Sequence, residues 1–248
     1  MNQPRQARFD QAASNYGAAA TWQDLSFDYL CQYLPGELDS FIDLGCGSGQ
    51  HLAFLASRYP KSSCIAVDSS QAMLREVQKK KIKHCRWIQA NFDDAECFEE
   101  LPMVSLVVAN ASLHWSQDIP LLLKRIRACL KKQGRFIASF FLPETFQELQ
   151  SLFNEKDFIP AANFQDLGTL KKVISSYFTI EDSKKINLKQ IYPSLKHLLR
   201  HIKQTGVHEK KSQGLWTPRR LAELETYYLQ HYGSITASAA FWVVCASA

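Results

Sequence analysis

Between residues 40 and 141 the sequence alternates short apolar runs with helix-length stretches, and few architectures accept that alternation. "SFIDL" (40–44), "SCIAVD" (63–68), "HCRWIQA" (84–90), "MVSLVVAN" (103–110) and "RFIASFF" (135–141) have the length and composition of buried strands. The intervening segments predict helices over 49–58 and 70–80, and a third capped by Asp118 with Pro120 in its first turn. That third helix is expected to run to about residue 131 and to end at Gly134. Strands joined by helices of this length form right-handed βαβ units, so the expected core is a doubly wound, mostly parallel α/β sheet.

After Pro143 the pattern changes. "TFQELQSLFN" and "LGTLKKVISSYF" read as helices, "TIEDSKKINL" as a sixth strand, and further helices are expected over 193–204 and 218–231. The chain closes with "SAAFWVVCASA" (238–248), a seventh strand expected to enter the sheet antiparallel at its edge. At the other end, "ARFDQAASNYGAAA" is helix-prone, and "WQDLSFDYLCQYL" (22–34) is amphipathic and stopped by Pro35-Gly36. The expected organisation is one domain over 1–248. It comprises an N-terminal helical lid (1–35), a ligand-binding core (36–142), a region of helices, strand six and a basic insertion (143–234), and the final strand (235–248).

No stretch approaches the roughly 18 consecutive apolar residues of a membrane span, and "MNQPRQARFD" has no apolar signal core. A soluble cytoplasmic protein, monomeric and not acting at a membrane, is expected. The seven cysteines include no C-x-x-C pair and no Cys/His metal spacing, so no metal is expected. Cys46, Cys64, Cys85, Cys129 and Cys245 read as small core residues of a reducing compartment. Charge is unevenly spread. From Lys184 to Arg220 ten basic residues face one acid, a net +9, which leaves −4 for the rest of a chain whose total is +5. A basic face on an acidic body suits a polyanionic partner.

The chemistry concentrates in "FIDLGCGSGQ" (41–50). A dinucleotide turn needs G-x-G-x-x-G, but here the glycines are Gly45, Gly47 and Gly49, and Gln50 stands at the third dinucleotide position. A phosphate loop would end in Gly-Lys-Ser/Thr, which is absent. Asp43 before the turn would repel a pyrophosphate but suits a ligand bearing an ammonium group.

This D-x-G-x-G-x-G turn, an acid ending the second strand and "NASLHW" (110–115) after the fourth resemble the class I S-adenosylmethionine-dependent methyltransferases. The resemblance implies a Rossmann-like seven-stranded fold and a methyl donor held by Asp43, Gly45, Cys46, Gly47 and Gly49. It also implies that Asp68 and Ser69 hold the ribose, Asn91 and Phe92 the adenine, and that Asn110 and Gln23 contribute. Asn91 stands where the family often has Asp, and its amide oxygen can still accept from an adenine amino group.

The chain ends narrow the resemblance. "FDQAASNYGAAATWQ" (9–23), "LRHIKQTGVHEKK" (199–211) and "LWTPRRLAEL" (215–224) are similar to the malonyl-acyl carrier protein O-methyltransferase family of biotin synthesis. That family's final strand opens with a Thr-Tyr-His-like stretch, whereas this one reads "ITASAAF" (235–241). "ANASLHW" is also similar to trans-aconitate methyltransferase, which esterifies a small polycarboxylic acid. A non-catalytic adenosylmethionine-binding regulator is a third reading.

Carboxylate methylation needs no general base, because the nucleophile is already ionised near neutrality. The carrier reading makes Arg200 the bidentate carboxylate clamp, with Tyr16 and Gln23 closing over the site. It makes His114 a pocket wall or hydrogen-bond donor and Trp115 a lining of the acyl channel. Lys203, Lys210, Lys211, Arg219 and Arg220 would face the acidic carrier protein. Nucleic acid is disfavoured as the polyanion, because "NASLHW" lacks the N-P-P-aromatic turn of base methyltransferases.

Overall fold

The computed structural model describes residues 3–152, 159–160, 164–205, 208–209 and 217–248. Helices α1 (Gln3–Ala19) and α2 (Thr21–Leu30) precede β1 (Ser40–Leu44). The alternating region follows as α3 (Gln50–Arg58), β2 (Ser63–Asp68), α4 (Gln71–Lys79), β3 (Cys85–Gln89) and α5 (Glu96–Glu99). It continues through β4 (Val104–Asn110), α6 (Ile119–Ala128) and β5 (Leu130–Phe141). The remainder is α7 (Gln147–Leu152), α8 (Leu167–Ser175), β6 (Thr179–Ile191), α9 (Leu195–Gln204), α10 (Pro218–Tyr232) and β7 (Thr236–Ser247).

The seven strands form one sheet in the order β3-β2-β1-β4-β5-β7-β6, with β7 antiparallel to both of its neighbours. The other strand pairs are parallel. Successive residues of a strand face opposite ways, and the sheet buries both faces. Phe41, Leu106 and Phe241 pack with α2, α3, α4 and α9, whereas Ile42, Val107 and Trp242 pack with α6 and α8. The order of strands reverses between β1 and β4. In an open α/β sheet the ligand crevice lies beyond the carboxyl ends of the strands at that point.

Two sequence expectations are corrected. Strand β7 is interior rather than at the edge. Ala237 through Ala246 are buried without interruption, while Lys184, Lys185 and Lys189 of β6 are exposed. Lysines disfavour edge-to-edge pairing, so β6 is the better edge. Helix α6 ends at Ala128, and Gly134 falls inside β5, where a Cβ would lie 2.9 Å from the Lys131 carbonyl oxygen. That glycine admits a close backbone approach and does not end a helix. Cys46, Cys64, Cys129 and Cys245 are buried as expected, and Cys97 joins them, but Cys85 on the outer strand β3 is half-buried.

Helix α1 reaches back over the crevice and is anchored at the start of α4. Ser70 caps α4 by accepting from the Met73 N–H at 3.1 Å, and its hydroxyl donates to Asp10 Oδ1 at 2.6 Å. Asp10 Oδ1 also accepts from the Ala72 N–H at 3.3 Å, so a carboxylate sits at a helix N-terminus where the macrodipole favours it. Gln6 Nε2 donates to the Ser69 carbonyl at 2.8 Å.

Trp242 tests the interior position of β7, because it is 1% exposed and packs near Phe140 with ring centroids 6.2 Å apart. Trp242→Ala is expected to cost about 3–5 kcal/mol. Urea unfolding followed by far-UV circular dichroism measures it, and a loss under 1 kcal/mol, about the scale of an exposed substitution, would place the residue outside the core.

Candidate active site

The turn after β1 is built from backbone that side chains could not replace. Gly45 and Cys46 both donate to the Val67 carbonyl, at 2.8 and 3.0 Å. Gly45 has φ +82, and a Cβ there would meet Ser112 Cβ at 2.4 Å, so glycine lets the segment after β4 close against the turn. The Ser112 hydroxyl donates to the Leu44 carbonyl at 2.6 Å and locks that contact. Gly47 has φ +54, and its N–H donates to Asp68 Oδ2 at 2.9 Å. The other oxygen of Asp68 accepts from the Ser70 N–H at 2.9 Å.

A cavity of about 260 Å³ opens above this turn. Its floor is Gly45 and Gly47, and its sides are Asp68 and Ser69 after β2, Asn91 and Phe92 after β3, and Ala111, Ser112 and Trp115 after β4. Tyr16 of α1 covers Gly47, its ring carbon 3.5 Å from where a Cβ would stand. Burial, then the charges of Asp68 and Asp24, push the Tyr16 phenol far up, so it stays protonated. Burial also raises Asp68, against the opposing pull of its N–H donors. Asp43 lies beneath the turn, 3% exposed, with its Oδ2 lacking any hydrogen-bond partner. Burial, then the charge of Asp68, pushes its carboxyl up to about 7.

A second, narrower cavity of about 20 Å³ lies between α2, the end of β5 and α9. Its walls are mostly aromatic. Trp22 and Phe146 have centroids 4.8 Å apart, and Phe141 and Phe164 complete the walls. His201 lines it from α9, with Nε2 2.7 Å from the Ala19 carbonyl and Nδ1 2.6 Å from the Tyr192 hydroxyl. Ring contacts among the described residues link the walls of the two cavities. The His114 ring lies 5.4 Å from that of Trp115, tilted against it, and meets Phe141 and Phe164 edge-on at 5.5 Å.

Several expected donor residues take other positions. Asn110 does not line the large cavity. Its Oδ1 lies 2.8 Å from the Ser26 hydroxyl and 2.7 Å from that of Ser139, and its Nδ2 donates to the Gln23 carbonyl at 2.9 Å. Asn110 therefore fixes α2 to the sheet, beside a His51 that pairs with Asp24 at 2.8 Å. Gln23 lines the narrow cavity and not the large one. Cys46 and Gly49 support the turn from behind, with Gly49 against Val77 of α4. Asn91 Oδ1 already accepts from the Asp93 N–H at 3.1 Å, which occupies one of its lone pairs. Arg200 is exposed and lines neither cavity, because α9 turns Leu195, Leu198 and Ile202 inward and carries Arg200 on the opposite side. Lys203, Arg219 and Arg220 are exposed, and Lys210 and Lys211 lie outside the described residues.

Other lining residues were not anticipated. Gln6 and Phe9 share a helix face with Tyr16, a spacing legible in the sequence. Asp94 lies two positions past Phe92. Ala111 holds φ +50, a conformation rare for a residue with a Cβ, and its N–H donates to the Ser139 hydroxyl at 2.8 Å. No local signal announces it.

Residues 41–134, from β1 into β5, match the family model of the methyltransferase domain. The protein's strand order and glycine turn are those of the class I methyltransferase fold. Its fold is similar to that of an S-adenosylmethionine-dependent methyltransferase from Mesorhizobium loti, with TM-score 0.56 and 17% identity over 90% of this chain and 97% of that one. In sequence it is similar to the biotin biosynthesis bifunctional protein BioHC of Saccharophagus degradans, 27% identical over 245 residues. That match covers 92% of this chain and 43% of the relative, so the chain spans less than half of that protein's length. Malonyl-[acyl-carrier protein] O-methyltransferase 2 of Ilyobacter polytropus is 26% identical over 231 residues, covering 91% of this chain and 89% of the relative. Trans-aconitate 2-methyltransferase of Enterobacter sp. is 32% identical over 133 residues, 54% of this chain and 50% of the relative.

The residues present fit the methyl donor. A bare-backbone floor and a buried carboxylate oxygen without a partner suit an amino-acid tail that ends in an ammonium group. Without the donor, folded Asp43 keeps its proton up to about pH 7, whereas unfolded Asp43 loses it near pH 4. Stability of the ligand-free protein is therefore expected to fall as pH rises through that window. Donor affinity should rise over the upper part of the same range, from about pH 6 to 8, as the carboxylate forms. Calorimetry across pH checks this, and Asp43→Asn should flatten the dependence. Asp68→Ala should weaken donor binding by about 1.5–3 kcal/mol. Unchanged affinity in a folded Asp68→Ala protein would remove Asp68 from the donor site.

Proposed function

We propose that the protein transfers a methyl group from S-adenosylmethionine to the free carboxylate of a malonyl thioester carried on acyl carrier protein, the step that opens the pimeloyl branch of biotin synthesis. The observation that carries this reading is the narrow cavity beside the donor site. It is aromatic and slim, and no lysine or arginine lines either cavity among the described residues. An unbranched acyl chain suits such walls. A tricarboxylate would bury several charges there without partners, at high cost. Similarity to malonyl-acyl carrier protein O-methyltransferases along most of the chain supports the same reading.

The donor supplies an electrophilic methyl group on a sulfonium centre. The protein's part is binding, orientation and exclusion of water. A malonyl carboxylate is ionised at neutral pH, so no side chain has to remove a proton. Tyr16, protonated and seated over Gly47, closes the donor cavity together with Phe9, whose ring meets Trp115 edge-on at 5.4 Å. Residues 1–35 act in this reading as the lid.

The cations lie outside. Lys196, Arg200 and Lys203 form an exposed stripe along α9, and Arg219 and Arg220 stand exposed in the first turn of α10. In this reading they meet the acidic carrier, and Arg200 belongs to that docking face in place of the clamp expected from the sequence.

Neutralising Arg200, Lys203, Arg219 and Arg220 together should raise KM for malonyl-acyl carrier protein by about tenfold at low salt. The salt dependence of that KM should flatten. A small malonyl thioester without the carrier should be little affected. Equal losses on both substrates would make these residues part of the fold or pocket. The substrate assignment is tested by offering malonyl-acyl carrier protein, malonyl-coenzyme A and free trans-aconitate as acceptors. Efficient methylation of trans-aconitate alone would replace the proposal with the small-acid reading.

A further inference from the structure

The side chain of Gln23 is the polar feature of the narrow cavity that the proposed reaction leaves unused. Gln23 is 7% exposed, its Oε1 is buried without a partner, and its side-chain amide makes no hydrogen bond among the described residues. Its backbone carbonyl, by contrast, accepts from Asn110 Nδ2 and from the Ser26 hydroxyl, both at 2.9 Å. The main chain is therefore fixed while Oε1 is left without a partner in a residue that lines the cavity with Trp22, Phe141, Phe146 and Phe164. Burying an amide among aromatic rings without a partner is unfavourable, and a ligand that pairs with it removes the penalty. The other polar groups there are already committed. The Thr145 hydroxyl donates to the Ala240 carbonyl, that of Thr205 to the Ile202 carbonyl, and both nitrogens of His201 are engaged.

A glutamine amide offers one acceptor and one N–H donor face, whichever way it is turned. A carboxylate is an acceptor only and leaves Oε1 unpaired. A thioester is likewise without a donor. Water or a hydroxyl can pair with both ends of Gln23, but a bound acyl thioester displaces water from a slot this narrow, and among the groups such an acceptor brings there a secondary amide satisfies both ends. The malonyl group has none, so the amide must belong to the arm that carries it.

We infer that the slot between α2, β5 and α9 is the subsite for the acceptor's thiol arm, and that Gln23 pairs there with a secondary amide of that arm. The inference rests on the proposed thioester substrate and adds a specificity residue to it. The aromatic walls hold a slim, unbranched chain, and the Gln23 amide selects chains that carry an N–H at that depth. Among the described residues, His114 touches both Trp115 of the donor cavity wall and Phe141 and Phe164 of this slot, which sets the arm alongside the methyl donor in this reading.

One atom in the acceptor tests it. The malonyl thioester of N-acetylcysteamine carries the amide N–H, and the malonyl thioester of 2-mercaptoethyl acetate replaces that N–H with oxygen at the same length. The wild-type protein is expected to prefer the amide by about tenfold or more in kcat/KM. Gln23→Met, similar in length and apolar, should bring the two acceptors to within about twofold of each other, with S-adenosylmethionine affinity unchanged by calorimetry. Equal use of both acceptors by the wild-type protein overturns the inference without need of any variant. A fall in donor affinity in Gln23→Met overturns it as well, by returning Gln23 to the donor site. If neither malonyl thioester is methylated while trans-aconitate is, the proposed function fails and the inference falls with it. Methylation of both thioesters without preference removes the inference alone.

Discussion

The carboxylate of Asp68 holds two separate pieces of backbone, the Gly47 N–H and the Ser70 N–H, and the arrangement of the donor site depends on that pair of hydrogen bonds. One bond fixes the glycine turn that forms the cavity floor. The other fixes the start of α4, where Ser70 in turn meets Asp10 and so sets the position of α1. The cavity floor and helix α1 are thus registered against the same side chain. Asp43 adds a second acid beneath the turn, and burial raises both carboxyls, helped at Asp43 by the charge of Asp68 and at Asp68 by that of Asp10. A site that concentrates acids without cations has a standing preference for a cationic ligand.

Charge is divided by depth. The donor cavity is acidic, the neighbouring slot is aromatic and carries a single unpaired amide, and lysines and arginines are kept on the outer faces of α9 and α10. Each choice follows from solvation. An unpaired cation buried beside aromatic rings is costly to desolvate, whereas the same charge on the surface still steers an anionic partner over a Debye length. On the proposed function, such a layout separates recognition of the carrier from positioning of the reacting group. It also leaves the transfer itself to geometry, since no titrating side chain is required.

The local sequence made much of this legible. The spacing of Gly45, Gly47 and Gly49, the acid at Asp68, the aromatic at Phe92 and the strand–helix alternation all depend on periods of two and 3.6 residues and on turn chemistry, which act over a few positions. The same holds for the caps at Ser70 and Asp118, whose side chains accept from the Met73 and Leu121 N–H groups. Tyr16 over the turn is a nonlocal contact, but a helix face shared with Gln6 and Phe9 signals it. Where a local rule had a competitor, it failed. Gly134 resembles a helix stop, yet the strand begins at Leu130 and the glycine serves a backbone approach inside it.

The sequence by itself determined the class of fold, the seven strands, the glycine turn and the acidic character of its surroundings, because each is written in neighbouring residues. Only the tertiary structure decided which strand closes the sheet, and which of two adjacent polar residues lines the narrow cavity. Arg200 and His201 differ by one position, but a 100° step around α9 sends one to solvent and the other to the slot. Asn110 and Gln23 looked alike as candidates for the donor. Contacts with Ser26 and Ser139, distant in the chain, committed Asn110 to holding α2, and the same helix then aimed Gln23 into the second cavity. Side-chain roles of this kind are set by partners brought together from remote segments, and a linear pattern carries no record of that juxtaposition.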